Sequence, residues 1–108
     1  MKQTIWISYD LGLKGDYPGL YRWLDLHKAK ECGNSIAYLS FRYVSDLMED
    51  LRKELKENVE LKSGDRIYLI ASHKNEGKML PQGRFLFGNR KASPWEGAAP
   101  VEDNSVDI

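Results

Sequence analysis

Asp10 ends the run Thr4-Ile5-Trp6-Ile7-Ser8-Tyr9, a carboxylate closing a stretch of apolar and aromatic side chains. Magnesium takes oxygen ligands, commonly one or two carboxylates with water and phosphate completing the shell. A carboxylate at the end of a central strand is held rigidly enough to serve in such a site. One aspartate per chain makes a poor magnesium site, and two copies across a dimer axis make a better one. An aspartate in this position also opens turns by bonding its own backbone. Both readings of Asp10 stand. Asp16 and Asp25, the nearest other acids, have simpler roles as a helix cap and a helix-surface charge.

The remaining reactive side chains are sparse. Cys32 is the only cysteine, so no intrachain disulfide forms, and the residue reads as small packing rather than as a reactive thiol. His27 and His73 lie far apart without zinc-like spacing. Net charge is zero, yet Arg66, Lys74, Lys78, Arg84, Arg90 and Lys91 face Glu76 alone along that part of the chain. A locally basic segment of this kind attracts a polyanion or simply solvates a hairpin.

These groups need elements to position them. A chain of 108 residues with 42% apolar side chains fits one soluble domain with one core. No stretch approaches the ~20 continuous apolar residues of a membrane span. The N-terminal Met1-Lys2-Gln3-Thr4 leads straight into a strand rather than a secretory signal, which predicts a cytoplasmic protein.

Residues 3–9 alternate as a β-branched, aromatic-rich strand. Asp16 is a helix N-cap with Pro18 in the first turn, and Leu20, Trp23, Leu24 and His27 follow helical spacing. Ala29 and Cys32 extend this helix to a left-handed stop at Gly33-Asn34. Residues 35–43 form a second strand, with Ile36, Tyr38 and Ser40 on one face and Ala37, Leu39 and Phe41 on the other. Ser45 caps a second helix with a stripe of Leu47, Leu51 and Leu55, widened by Met48 and Val59. Strands follow at 66–72 and 83–88, joined through the turn His73–Lys78, and Pro81 marks an irregular or edge segment. Residues 1–91 therefore form one domain. The tail 92–108 reads as disordered or docked on a partner, with Trp95 as its anchor.

This order predicts an α+β fold, a ferredoxin-like split βαβ sandwich with one antiparallel sheet and two helices on one face. A fourth strand of the βαββαβ pattern is expected from a bend within 35–43. Trp6 and Tyr38 fall on the uncovered sheet face, which suggests a homodimer packed through it.

The strand "IWISYDL", Gly33, Ile36, Tyr38 and Phe41 after the first helix, and "DRIYLI" after the charged second helix resemble the small CRISPR-adaptation nuclease subunit and the VapD-type toxin ribonucleases. The resemblance covers roughly residues 3–88 by order of elements. It implies that Asp10 and its dimer mate bind Mg²⁺ beside a scissile phosphodiester in RNA or DNA. It also implies that Tyr9, Arg84, Arg90 and Lys91 contact the nucleic-acid backbone without reading sequence. Two other functions remain open: a non-catalytic nucleic-acid-binding or assembly protein on the same fold, and a small regulatory domain binding a metabolite across the dimer sheet.

Overall fold

A computed structural model describes residues 1–90 and 92–100, with Asn75 described by its backbone. Lys91 and the end of the tail, 101–108, lie outside the described residues. The elements are β1 (Lys2–Asp10), α1 (Tyr17–Leu26), β2 (Lys30–Gly33), β3 (Ile36–Arg42), α2 (Leu47–Asn58), β4 (Arg66–Asn75) and β5 (Lys78–Phe87). The five strands make one sheet in the order β2-β3-β1-β4-β5, antiparallel at every junction.

Alternation along the strands separates the two faces. Ile5 pairs with Leu39 and Ala71, and Ile7 pairs with Ala37 and Leu69; all six are buried. Tyr9 and Ile67 continue this buried row at the end of β1. Against it pack Leu20, Trp23 and Leu24 of α1, Leu51 and Leu55 of α2, and Val59. Each helix buries the stripe its sequence predicts. Burying side chains of this size stabilises by roughly 1.5–3 kcal/mol apiece relative to exposure. Among the described residues no helix is long and apolar enough to cross a membrane.

Helix α1 starts where expected, with the Asp16 carboxylate accepting from Gly19 N at 3.0 Å. It stops earlier than its sequence suggests. Lys28 adopts φ 54°, Lys28 N donates to Asp25 O at 2.9 Å, and Ala29 N donates to Leu24 O at 3.0 Å. That pair of bonds is a Schellman cap with lysine in the left-handed position usually held by glycine. Residues 30–32, expected in the helix, and Gly33, expected at its stop, instead form β2, so the extra strand comes from here and not from a bend in 35–43. Gly33 and Asn34 belong to the β2–β3 hairpin, where Ser35 takes the positive φ of 60°. Cys32 is exposed on this edge strand, so the packing role expected of it does not hold.

Helix α2 is capped by Asp46, one residue after Ser45, through a 2.9 Å bond from Glu49 N. Beyond it the hairpin β4–β5 is longer than the sequence suggests. Glu76 and Gly77 take φ 51° and 79° as a two-residue turn, letting Asn75 pair with Lys78 and Pro81 with Ser72. Positive φ at both central residues is the type I′ signature that matches strand twist. Pro81 is tolerated because β5 is an edge strand. From Ser72 to Arg84, Asn75 aside, the residues are exposed. The molecule measures 60 × 40 × 23 Å.

Candidate nucleic-acid interface

Among the described residues no helix lies over the opposite face of the sheet, and its residues follow from the same register. One row across the strands reads Lys30, Tyr38, Trp6, Ile70 and Gly83. The next reads Ile36, Ser8, Tyr68 and Phe85, and Asp10 pairs with Arg66 at the end. Trp6 is 38% exposed and Tyr38 is 40% exposed. Tyr68 lies across β5 edge-on to Phe85, with ring centroids 4.9 Å apart. Its hydroxyl fills the space above Gly83, where an added Cβ would approach within 2.2 Å. Glycine there lets the tyrosine ring lie flat on the edge strand.

Charge on this face has one dominant sign. Register places Lys2, Lys30, Arg66 and Lys74 on it, and Arg42 opposite Lys2. Lys2 and Arg42 reach the sheet's rim, where they line a shallow depression with Glu54. Among the described residues, Asp10 is the one acid that the strands contribute to the face. The other side is mixed: on and around α2, Asp46, Glu49, Asp50, Glu54, Glu57 and Glu60 alternate with Arg52, Lys53, Lys56 and Lys62. The sheet face thus carries an excess of cations, while the helix layer mixes both signs.

Asp10, Arg66, Arg90 and Trp95 meet at one end of the face. With Ser8, Tyr9, Tyr68 and Phe85 they line a shallow depression of about 420 Å³. Gly88 makes this convergence possible. It takes φ 76° close to β4, where a Cβ would sit 2.5 Å from Asp65 O, and so turns the chain back after β5. The tail then forms two turns, Glu96 N to Ser93 O and Ala98 N to Trp95 O. Trp95 is 73% exposed above the depression.

Both oxygens of Asp10 are engaged. Oδ2 accepts from Arg66 Nη2 at 2.8 Å, and Oδ1 accepts from Gly12 N at 3.2 Å. The Gly12 N–H, then the Arg66 hydrogen bond, hold its pKa below the ordinary aspartate value, with the Arg90 charge adding to them. Asp10 is thereby a turn-former and an ion-pair partner. One carboxylate with both oxygens committed, beside two guanidinium groups, does not fit a magnesium ion within a single chain. Among the described residues, no three His, Cys, Asp or Glu side chains gather as a metal site.

The other expected contacts gather only in part: Tyr9 and Arg90 border the depression with Asp10, and Arg84 does not. Tyr9 is 6% exposed on the helix side, edge-on to Tyr17 and Tyr21 at 6.4 and 6.3 Å. Burial raises its phenol pKa. The ring anchors the end of β1, while Tyr17 Oη accepts from Leu11 N at 3.1 Å and fixes the turn that follows. Arg84 pairs with Leu69 and so belongs to the helix side, beside Met48 and the start of α2. Its guanidinium reaches Gln82 Oε1 at 3.3 Å. Arg90 lies with Asp10, and Lys91 is outside the described residues. Sequence reasoning placed Arg66 and Lys74 only in the basic segment and missed Lys30; their shared face depends on strand pairing. His27 contacts Glu54, which also accepts from Trp23 Nε1 at 2.9 Å; this cluster ties α1 to α2.

No family model matches the chain, and neither a curated protein nor a solved structure does.

Proposed function

We propose that this protein binds nucleic acid through the open face of its sheet, gripping the phosphate backbone with Lys30, Arg66, Lys74 and Arg90. The observation that carries this reading is the excess of cations beside exposed aromatic rings on the open sheet face, to which the strands contribute a single acid, Asp10, among the described residues. A phosphate backbone is attracted to such a face, which orients the protein on its partner without reading sequence. The ferredoxin-like reading of the fold is supported by the strand order, with β3 between β1 and β2 and β1 between β3 and β4. The edge strand β5 is an addition to that pattern.

A second reading is favoured by the placement of Asp10 at the rim of the face, its side chain 59% exposed. This is the metal-dependent endonuclease implied by the family resemblance, with a homodimer supplying a second Asp10. One chain does not furnish the ligands, so this reading requires the dimer. Labelled RNA and DNA separate the two. Salt-sensitive binding without cleavage in Mg²⁺ or Mn²⁺ fits the first, and cleavage lost in Asp10→Ala fits the second.

A further inference from the structure

We infer that the nucleic acid taken by this face is single-stranded, with its bases stacked on Trp6 and Tyr38. This rests on the nucleic-acid reading above and adds the substrate class. Trp6 and Tyr38 are directly paired across the two central strands and are both well exposed, while their neighbours one residue along each strand are buried. Exposed aromatic rings paired on interior strands of a sheet offer a stacking surface to a ligand that approaches flat. Bases of a duplex have both faces covered by their neighbours, so only unpaired bases meet these rings.

The surrounding groups fit a strand running across the sheet. Lys30 lies beside Tyr38 on β2, and Tyr68 and Phe85 carry the aromatic path over β4 and β5 toward Trp95. Arg66 and Arg90 stand at that end. From β3 to β5 the path crosses three strand spacings, about 14 Å, which suits two or three stacked nucleotides. Phosphates then fall near Lys30 at one end and near Arg66 and Arg90 at the other. Ser8 and Thr4 flank Trp6 on this face with small polar side chains, leaving the ring accessible.

A second copy of the chain is the competing occupant. Packing two copies through this face brings together two surfaces that each carry Lys30, Arg66 and Lys74, with Asp10 as the acid the strands offer to offset them. A polyanion is complementary to every one of those charges. Charge therefore selects the nucleic acid.

The test is fluorescence anisotropy with a labelled 12-nucleotide RNA, its DNA equivalent and the matching blunt duplexes, on the full chain and on Trp6→Leu, Tyr38→Leu and Trp6→Phe. The expected result is single strands bound at least tenfold tighter than duplexes. Each leucine variant should weaken single-strand binding about tenfold with an unchanged salt slope, and Trp6→Phe should recover most of it. Far-UV circular dichroism on all three verifies that these exposed substitutions leave the fold intact. Duplex binding as tight as single-strand binding, or leucine variants that bind like wild type, overturns stacking while leaving backbone binding in place. Wild type that binds no probe overturns the underlying reading itself. A sheet-packed dimer that Trp6→Leu converts to monomer, with nucleic-acid binding unaltered, assigns the face to a second copy and overturns the inference.

Discussion

Asp10 and Arg66 are cross-strand partners at the end of β1 and β4, joined by a 2.8 Å bond between Oδ2 and Nη2. The carboxylate that looked like a catalytic outlier in the sequence is, in the fold, the counter-ion of the cation opposite it. It is also the acid of an otherwise basic face, and this gives its removal an unusual sign.

Asp10→Ala should strengthen nucleic-acid binding by a few-fold, because it frees Arg66 and deletes the like charge that repels phosphate. Its effect on stability should be small, within the ~0.2–1 kcal/mol typical of exposed ion pairs, together with loss of the Gly12 turn bond. Parallel anisotropy titrations and urea unfolding check both. Weaker binding with intact folding would show that Asp10 contributes to the site as a ligand.

Acid should destabilise the fold through two carboxylates. The pKa of Asp10 is lowered chiefly by the Gly12 N–H, and that of Asp16 chiefly by the Glu60 N–H and then Gly19. A folded pKa below the unfolded value means the stabilisation is present above the unfolded carboxylate pKa of ~3.9 and is lost as pH falls through the folded value. Urea midpoints should therefore drop below about pH 4. The double variant Asp10→Asn/Asp16→Asn should start lower at neutral pH and fall less. An equal acid-induced drop in both proteins would contradict these roles. At the alkaline end, the raised Tyr9 pKa predicts stability that is full below ~10 and declines as pH rises further.

Lys28→Gly should stabilise the protein by about 0.5–1 kcal/mol, since a left-handed backbone costs a non-glycine residue ~1–2 kcal/mol and glycine's extra unfolded entropy returns part of that. Lys28 sits at φ 54° in the cap of α1 and is exposed. Chemical denaturation measures the change, and destabilisation would mean that the lysine side chain holds the turn.

This same residue explains what the sequence conceals. A helix stop written with glycine is visible, and Gly33 attracted it; one written with lysine is not. Every residue from 27 to 33 was therefore assigned to the wrong element, and β2 was missed. Helix stripes and strand alternation were legible because Leu20, Trp23, Leu51, Leu55, Ile5 and Ile7 carry enough apolar surface to dictate which way they point. The open-face positions of Trp6 and Tyr38 followed from that alternation. The company of Asp10 did not, because Arg66 lies far along the chain and joins it only through the pairing of β1 with β4. Arg84 separated from the site for the same reason: alternation put it on the helix side.

Leu51→Ala should cost about 2–5 kcal/mol, the range for a large buried aliphatic side chain, since Leu51 is fully buried between α2 and the sheet. Leu80→Ala on the projecting hairpin, where the side chain is 47% exposed, should change stability far less. Denaturation curves of the pair test whether the core ends at Ala71 on β4. Comparable losses would place the hairpin under cover.

The most direct measurement is the salt dependence of binding to a labelled single strand, wild type against the charge-reversed triple variant Lys30→Glu/Arg66→Glu/Lys74→Glu. Four phosphate contacts predict a slope of log K against log salt of about −3, from −0.7 per contact on single strands. The variant should lose binding throughout while keeping its fold. Wild type that does not bind at ~50 mM salt, or a folded variant that binds as well as wild type, would contradict the assignment of the open sheet face to nucleic acid.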